Sequence, residues 1–442
     1  MVVEKIESKE RSSGRDDFGQ YIDHTARILR CLRMMEMEED ASILRRTAIV
    51  TTTAIMLFLN AALGISEMMK LRNTTELSAL AMTVGASWMH FIGFAKWAFF
   101  VWKIKDVSRL FLHLEECYNM SLSISDIVEG HSQLRKDMNR ARKNSLRFTW
   151  VWGFFVNWGV VHWCLNPFLV KWTLSRSNVS MPMNEDALPY STWIPWDTSG
   201  TGAYVVTYLL ECVGSQAAII GSTAYDTFYI TIMLMITAQL RYLNYFLANT
   251  GDGDPANVRT ETTNKLTYPF LLEKLKRGKD HHNAILTFLT LFGHVTSPAM
   301  FAQCIGSTAV ICLIVFEVST VKGTDGIIKI WSMVEYVAGN LLQIFFFCYF
   351  ANKITELGLE VADSTYRCGW ENMVFAKSVD QKTREKGLKS VGFLIRDMSV
   401  RAQKPIRLSG GPFYVLSLET FLAMLGAAFS YLTVLRELNS DE

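Results

Sequence analysis

The chain has 442 residues, of which 50% are hydrophobic and only 19% are charged, whereas soluble domains carry roughly 25% charged residues. The 27 glycines and nine prolines are too few for a disordered or fibrous chain. A formal net charge of +2 gives no electrostatic reason to expect a nucleic acid partner. The composition therefore favours a single membrane domain over several soluble domains.

Seven segments are long and apolar enough to cross a bilayer as helices, which takes about 20 residues for a hydrocarbon core of ~30 Å. Because the first 40 residues are polar and charged, we expect the first apolar run to be a membrane span and not a cleaved leader. The predicted spans are 47–69, 79–102, 148–170, 203–238, 284–319, 328–352 and 411–435. The helical pattern of span four continues to Leu247, so its second half should extend into the cytosol.

The last span follows a charged helical stretch, about 378–402, and a break formed by Ser409, Gly410, Gly411 and Pro412. This pattern predicts a last helix that is split into a cytosolic half and a membrane half. The predicted fold class is therefore an all-α membrane protein with seven transmembrane helices, the last of them divided.

Basic residues indicate how the spans are oriented. Segments 1–46, 103–147, 241–279 and 353–407 hold nine, nine, seven and eleven of the 44 Lys and Arg residues, whereas seven lie on the other side. Since Lys and Arg concentrate in cytosolic loops, the N-terminus is predicted in the cytosol and the C-terminus outside the cell. This is the reverse of a G-protein-coupled receptor, and neither a DRY triplet nor an NPxxY motif stands at the expected place.

No motif indicates an enzyme, a cofactor or a metal site. GxGxxG, Walker A, HExxH and GxSxG patterns are missing from the sequence, and the eight cysteines form no CxxC pair. His281 and His282 are adjacent and could bind a metal, but they have no partner at helical i,i+4 spacing. We interpret them as a polar cap at the entrance of span five.

Three acidic residues, Glu211, Asp226 and Glu335, lie within apolar stretches. A charge inside a membrane is costly, so each is a candidate functional residue. Structural pairing inside the bundle is the favoured alternative, and Lys96 in span two is a candidate partner for Asp226.

The last third of the chain contains short runs that resemble the insect odorant receptor family. They read QIFFFCY at 343–349, RAQKPI at 401–406, FYVLSL at 413–418 and SYLTVL at 430–435. Asp226, Gln239 and His282 are similar too. The family consists of a shared co-receptor and divergent odour-tuning subunits. The co-receptor carries a long insertion between spans four and five, whereas the connection 249–283 is short here, so the chain resembles a tuning subunit.

The resemblance implies an odorant-gated, non-selective cation channel subunit that forms a heterotetramer with the co-receptor. Its ligand would be a small volatile organic molecule. The subunit would lie in the plasma membrane, in the dendrite of an olfactory sensory neuron. The implied regions are a cytosolic segment 1–46, spans one to six with the pocket 47–352, a cytosolic anchor 353–410, and a pore-lining half-helix with the extracellular C-terminus 411–442.

One face of the last helix is made of small residues, Thr420, Ala423, Ala427, Ser430 and Val434, at spacings of three and four. Close helix packing is one interpretation of such a face. The resemblance implies a pore lining instead, with Val434 as the gate and Leu438 as a second apolar ring. The charged Arg436 and Glu437 depart from the family pattern.

The resemblance places the ligand pocket among spans two, three, four and six, where an apolar, aromatic-lined site is expected. The orientation of the spans selects their outer-half residues as candidates. These are Trp88, Phe91, Ile92, Asn157, Trp158, Val161, Tyr204, Tyr208, Cys212, Tyr336 and Asn340. Ordinary packing or an aromatic belt is the alternative for any one of them.

Two glycosylation sequons, at Asn73 and Asn178, fall in predicted outer loops. Two other functions stay open at this stage. A gustatory-type channel is disfavoured because those receptors end in a TYxxxxxQ motif, and a G-protein-coupled receptor is disfavoured by the predicted orientation.

Overall fold

The computed structural model describes residues 18–38, 40–72, 74–75, 77–125, 131–176, 188–250, 268–320, 326–371 and 381–440. These residues form ten α-helices and one short β-hairpin. The helices are α1 Gly19–Cys31, α2 Ile43–Leu71, α3 Leu77–Trp102, α4 Ile104–Ser125, α5 His131–Arg176, α6 Thr201–Ala248, α7 Tyr268–Thr320, α8 Gly326–Tyr366, α9 Gln381–Ala402 and α10 Leu418–Ser440. The antiparallel strands are β1 Ser409–Gly410 and β2 Tyr414–Val415.

Five helices are long and apolar enough to cross a membrane. They are Ile43–Leu71, Thr201–Ala248, Leu271–Ser319, Ile330–Tyr366 and Leu418–Glu437, and they correspond to predicted spans one, four, five, six and seven. Predicted spans two and three also form helices, α3 and α5, but these lie outside that set. Both contain several tryptophans and a few polar side chains, among them His90 and Lys96 of α3.

The inner half of α6 forms the axis of the molecule. Helix α6 has 48 residues, or roughly 72 Å at 1.5 Å per residue, and residues 224–240 are all buried. Aromatic rings surround it, with Tyr229 5.1 Å from Phe292 of α7 and 5.0 Å from Phe347 of α8 between ring centroids. A helix that is apolar on every side is buried on every side, so the other helices pack around this one.

The hairpin β1–β2 lies at the predicted break between the two halves of the last helix. It separates the charged helix α9 from the apolar helix α10. Helix α9, Gln381–Ala402, matches the charged stretch expected at about 378–402, of which residues 378–380 lie outside the described part of the chain.

Helix α1 anchors the N-terminal part of the chain against α5 and α6. The ring of His24 lies 2.9 Å from Ser145 Oγ, and Thr25 Oγ1 lies 2.9 Å from Thr231 Oγ1. Burial, together with the charge of Arg142, lowers the pKa of His24 to about 4, so the imidazole is neutral at pH 7.

The two adjacent histidines do not form a polar cap, which corrects the interpretation made from sequence. His281 and His282 are both buried, and the Nε2 atom of His281 lies 3.1 Å from Ser121 Oγ and 3.3 Å from Gln239 Oε1. Helix α4 covers this part of α7, a contact that no local sequence pattern indicates. Within the described residues, no group of three or more His, Cys, Asp or Glu side chains could hold a metal ion.

Candidate ligand-binding site

A buried ion pair joins α3 to α6 at the centre of the bundle. Lys96 Nζ lies 2.9 Å from Asp226 Oδ1 and donates a 3.2 Å hydrogen bond to Ser222 Oγ. The ammonium also lies 4.9 Å from the ring centroid of Tyr225. The pairing suggested by the sequence is therefore confirmed.

Close packing of the two helices brings these charges together. A Cβ atom added at Gly93 of α3 would overlap the carbonyl group of Ala218 in α6, so only glycine permits this approach. Gly93 precedes Lys96 by three residues, and both therefore lie on the face of α3 that meets α6.

A cavity of roughly 110 Å³ opens beside this ion pair, between α3, α5, α6 and α8. For comparison, an engineered apolar cavity of ~150 Å³ holds benzene. In this chain, most of the cavity wall is aromatic or aliphatic. The lining residues are Ala86, Trp88, Met89, Ile92, Trp152, Phe155, Val156, Trp158, Gly159, Val160, Trp163, Tyr190, Ile219, Ser222, Asp226, Gln303, Ser332, Glu335, Tyr336, Gly339, Asn340 and Gln343.

One end of the cavity is polar, and we call Ser222, Asp226, Gln303 and Gln343 its polar floor. The second carboxylate oxygen of Asp226 accepts hydrogen bonds from Trp152 Nε1 at 3.1 Å and Gln343 Nε2 at 2.6 Å. With Lys96 on its first oxygen, this buried carboxylate has a partner on each side, as a buried charge requires.

The opposite end of the cavity carries a second carboxylate. Glu335 of α8 lies 2.7 Å from His162 Nδ1 of α5 and accepts a 3.0 Å hydrogen bond from Trp331 Nε1. Next to it, Ser332 and Asn166 are hydrogen-bonded to each other at 2.9 Å. These contacts hold α5 against α8 at this end.

Residues 188–200, which we call the cap segment, close the same end. Glu211 of α6 accepts hydrogen bonds from Thr192 Oγ1 at 2.6 Å and from the backbone N–H of Tyr190 at 3.2 Å. Trp163 Nε1 donates a 3.0 Å hydrogen bond to the carbonyl of Pro189. Glu211 is therefore a structural residue that places the Tyr190 ring in the cavity wall.

The structure brings five of the eleven ligand-binding candidates together in the cavity wall. These are Trp88, Ile92, Trp158, Tyr336 and Asn340. The other six, Phe91, Asn157, Val161, Tyr204, Tyr208 and Cys212, do not line it.

Helix rotation accounts for three of the six that lie elsewhere, namely Phe91, Asn157 and Val161. Phe91 and Val161 are exposed, at 54% and 44%, on the outward faces of α3 and α5. Asn157 donates a hydrogen bond to the carbonyl of Gly153 and accepts one from Gln216. Tyr208 donates a hydrogen bond to the carbonyl of Cys164.

Tyr204 and Cys212 lie on the part of α6 that precedes the cavity. Tyr204 is buried beside Tyr208, with ring centroids 6.1 Å apart, and Cys212 packs with Cys164 and Tyr190. Sequence analysis placed the site in this outer part of α6, whereas the cavity begins at Ile219, about two turns later.

Sequence analysis also missed the residues that come from outside the four spans, namely Gln303 of α7 and Tyr190 of the cap segment. Gln303 had a sequence signal, because a lone amide in the apolar run 299–316 requires a partner. Tyr190 had none, since nothing local indicates that a loop folds back into the bundle.

The predicted pore residues lie on α10. Met424, Ala428 and Leu432 are buried against α7 and α8, whereas Ser430 and Val434 are exposed and Ala427 is partly exposed. The small-residue face thus points away from the chain's own helices. Leu438 is part of α10, but its side chain lies outside the described residues, as do the sequons at Asn73 and Asn178.

Neutralising one member of the Lys96–Asp226 pair should cost stability. We expect Asp226→Asn to destabilise the fold by about 3–5 kcal/mol, because it leaves a buried ammonium without its counter-ion. The double variant Asp226→Asn/Lys96→Met should recover much of that loss. The measurement is thermal unfolding of the detergent-solubilised receptor.

Lys103→Met is the matched control, because Lys103 forms a partly exposed 3.2 Å pair with Asp106 and should cost about 0–1 kcal/mol. The stability losses of Asp226→Asn and Lys96→Met, each measured alone, are compared with that of the double variant. If the loss in the double variant equals the sum of the two, the charges do not stabilise each other.

This architecture was compared with those of known proteins. The model of the 7tm Odorant receptor family matches residues 76–429. Odorant receptor 13a of Drosophila melanogaster is 25% identical over 255 residues, 58% of this chain and 58% of that relative, so the match spans less than two thirds of it. The odorant receptor coreceptor of Anopheles gambiae is 24% identical over 164 residues, 37% of this chain and 31% of that relative.

The fold is also that of a solved receptor. The structure of the insect olfactory receptor OR5 from Machilis hrabei in complex with eugenol superposes with a TM-score of 0.73 at 17% identity, covering 96% of this chain and 100% of that one. A family of membrane receptors, and not of enzymes, accounts for the five apolar helices. Since the family match extends over most of its length, the chain belongs to the 7tm odorant receptor family.

Proposed function

We propose that this chain is the odour-tuning subunit of an odorant-gated, non-selective cation channel in the plasma membrane. The observation that carries the proposal is the aromatic-lined cavity beside the Lys96–Asp226 pair, in a chain of odorant receptor fold. A small volatile organic ligand fits its size, and the related Machilis hrabei receptor was solved with eugenol. The five candidates in the wall, Trp88, Ile92, Trp158, Tyr336 and Asn340, are its proposed ligand contacts.

The proposed topology has seven spans, formed by α2, α3, α5, α6, α7, α8 and α10, with the N-terminus in the cytosol and the C-terminus outside. Two observations support it. Basic residues concentrate in the segments assigned to the cytosol, and helix α3 packs between α2, α6 and α7 like a full member of the bundle. In this topology Asn73 and Asn178 lie outside the cell as proposed glycosylation sites.

An epitope tag tests the orientation directly. We expect a tag after Glu442 to be labelled on intact cells and a tag ahead of residue 1 to be labelled only after permeabilisation. Labelling of both tags after permeabilisation is the control for expression. The reverse pattern on intact cells would remove the topological basis of the channel proposal.

The pore is proposed to be lined by the small-residue face of α10 in a tetramer. An apolar ring in a narrow pore blocks ions by dewetting, and Val434, which is 52% exposed in the single chain, is the proposed gate. Leu438 is the proposed second ring. Glu437 near the outer mouth would favour cations, with Arg436 beside it.

A polar substitution at the gate should let water into the closed pore. We expect Val434→Thr to raise ligand-independent current or alter ion permeability while the ranking of odorants is kept. The matched control is Phe429→Leu, because Phe429 is 59% exposed on a different side of α10. Phe421 is unsuitable, since its ring packs 5.7 Å from that of Phe345.

If Val434→Thr changes the odorant ranking and leaves leak and permeation unaltered, α10 does not line the pore at this position. Co-receptor subunits contribute their own gate residues, so the change in a mixed tetramer should be smaller than in a homotetramer.

The proposed partner is the odorant receptor co-receptor. This chain is related to coreceptors over 164 residues, but its connection between α6 and α7 is short. We infer that it tunes the channel and that the co-receptor completes it.

Recordings with and without the partner test the whole proposal. Cells that express this chain with a co-receptor should give odorant-evoked cation currents, whereas cells that express either subunit alone should not respond to the same odorants. Full-sized currents from this chain alone would point to a homotetramer. An absence of evoked current from a surface-expressed pair, over a broad odorant panel, would contradict the channel function.

A further inference from the structure

Three polar atoms of cavity-lining residues have no hydrogen-bond partner among the described residues, namely Oε1 of Gln303, Nε1 of Trp88 and the hydroxyl of Tyr190 in the cap segment. Gln303 is 1% exposed. The first atom can only accept a hydrogen bond and the second can only donate one, and a buried polar atom left without a partner is destabilising.

The polar floor fixes which end of the Gln303 amide is left unpaired. The Asp226 carboxylate can only accept, so it receives the Nε2 group of Gln343 at 2.6 Å. This turns Gln343 Oε1 toward Gln303, whose Nε2 donates to it at 2.7 Å. Reversing the Gln303 amide would place two carbonyl oxygens against each other.

Ser307 reinforces the same orientation. Its hydroxyl lies 2.6 Å from Gln303 Nε2 and donates onward to Asn340 Oδ1 at 3.0 Å. The Lys96–Asp226 pair therefore sets the polarity of a relay that ends in an unpaired carbonyl oxygen at the cavity.

The unpaired indole N–H is close to this carbonyl along α7. Trp88 lies flat against Gly306, where a Cβ atom would overlap the indole ring near Nε1. Gly306 follows Gln303 by three residues, a rise of about 4.5 Å on the same side of the helix. One small group of the ligand can therefore reach both side chains.

We propose that the preferred ligands of this receptor are alcohols or phenols, whose hydroxyl donates to Gln303 Oε1 and accepts from Trp88 Nε1. The assignment deepens the proposed function and rests on it. The apolar body of the ligand packs against the aromatic wall, where Trp158 and Tyr336 lie.

Esters, ketones, ethers, ammonium ions and hydrocarbons each satisfy at most one of the two atoms. An ester, ketone or ether accepts from Trp88 and leaves Gln303 without a donor. An ammonium donates to Gln303 and offers no acceptor to Trp88, and a carboxylate adds an anion beside Asp226 and Glu335. A hydrocarbon satisfies neither atom, and a site built for a hydroxyl discriminates strongly against an analogue that lacks it.

Matched odorants test the proposal in cells that express this chain with a co-receptor. The first series is 4-methylphenol, 4-methylanisole and 4-ethyltoluene, and the second is hexan-1-ol, hexyl methyl ether and octane. We expect each hydroxyl compound to be more potent than its ether by about 5- to 150-fold, the equivalent of one hydrogen bond to a buried unpaired group.

Two variants remove the proposed contacts one at a time. Gln303→Met deletes the acceptor and should bring the hydroxyl-to-ether potency ratio close to one. Trp88→Phe deletes the donor to which hydroxyl and ether oxygens both accept, so it should keep that ratio and bring the ether-to-hydrocarbon potency ratio close to one. Thr308→Val is the control, since the Thr308 hydroxyl of α7 donates to the carbonyl of Cys304 and the residue does not line the cavity. The ratio is measured on one receptor population, so a folding defect that lowers both responses does not change it.

Evoked currents with equal potency for hydroxyl compound and ether, or an unchanged hydroxyl-to-ether ratio in Gln303→Met, would overturn the hydroxyl assignment and leave the channel function standing. Responses to esters or hydrocarbons without any to alcohols and phenols would overturn it as well. If this chain and the co-receptor, both without substitutions, gave no evoked current at all, that result would contradict the channel function instead.

Discussion

The ion pair between Lys96 of α3 and Asp226 of α6 is the contact on which the centre of the bundle depends. Both charges are almost completely buried, and neither is tolerable there without the other. Gly93 allows the helix backbones to touch, and the aromatic rings of Tyr225 and Phe347 lie close to the ammonium. The pair thus fixes the rotation and depth of α3 against α6, and with them the position of the cavity.

The same pair organises polar groups that lie beyond it. Asp226 of α6 holds one end of a relay that passes through Gln343 of α8 to Gln303 of α7, so the relay joins three helices. Because each amide has one donor end and one acceptor end, the orientation of the first determines that of the second. The Asp226 carboxylate can in this way decide which hydrogen-bonding groups the cavity presents.

Some of this arrangement could be predicted from sequence and some could not. Lys96 and Asp226 stood out because charges in apolar runs need partners, and the break before α10 was visible as Ser, Gly and Pro. The side of each helix that faces the cavity was harder to predict, because a few tens of degrees of rotation decide whether a residue such as Phe91 contacts the cavity or lipid. Contacts between segments distant in sequence, such as Tyr190 with the cavity and His281 with α4, leave no local pattern.

Helices α7 and α8 both line the cavity and contact α10, and in α8 the two contacts are close together. Tyr336, Asn340 and Gln343 line the cavity, and two residues after Gln343 the ring of Phe345 packs against Phe421 of α10. A ligand can open a channel only by binding its open state more tightly than its closed state. The cavity shares no residue with α10. The two states must therefore differ in the position of a helix that contacts both the cavity and α10. The geometry of α8, with its cavity face and its α10 contact less than one turn apart, makes it the shortest physical route between the two.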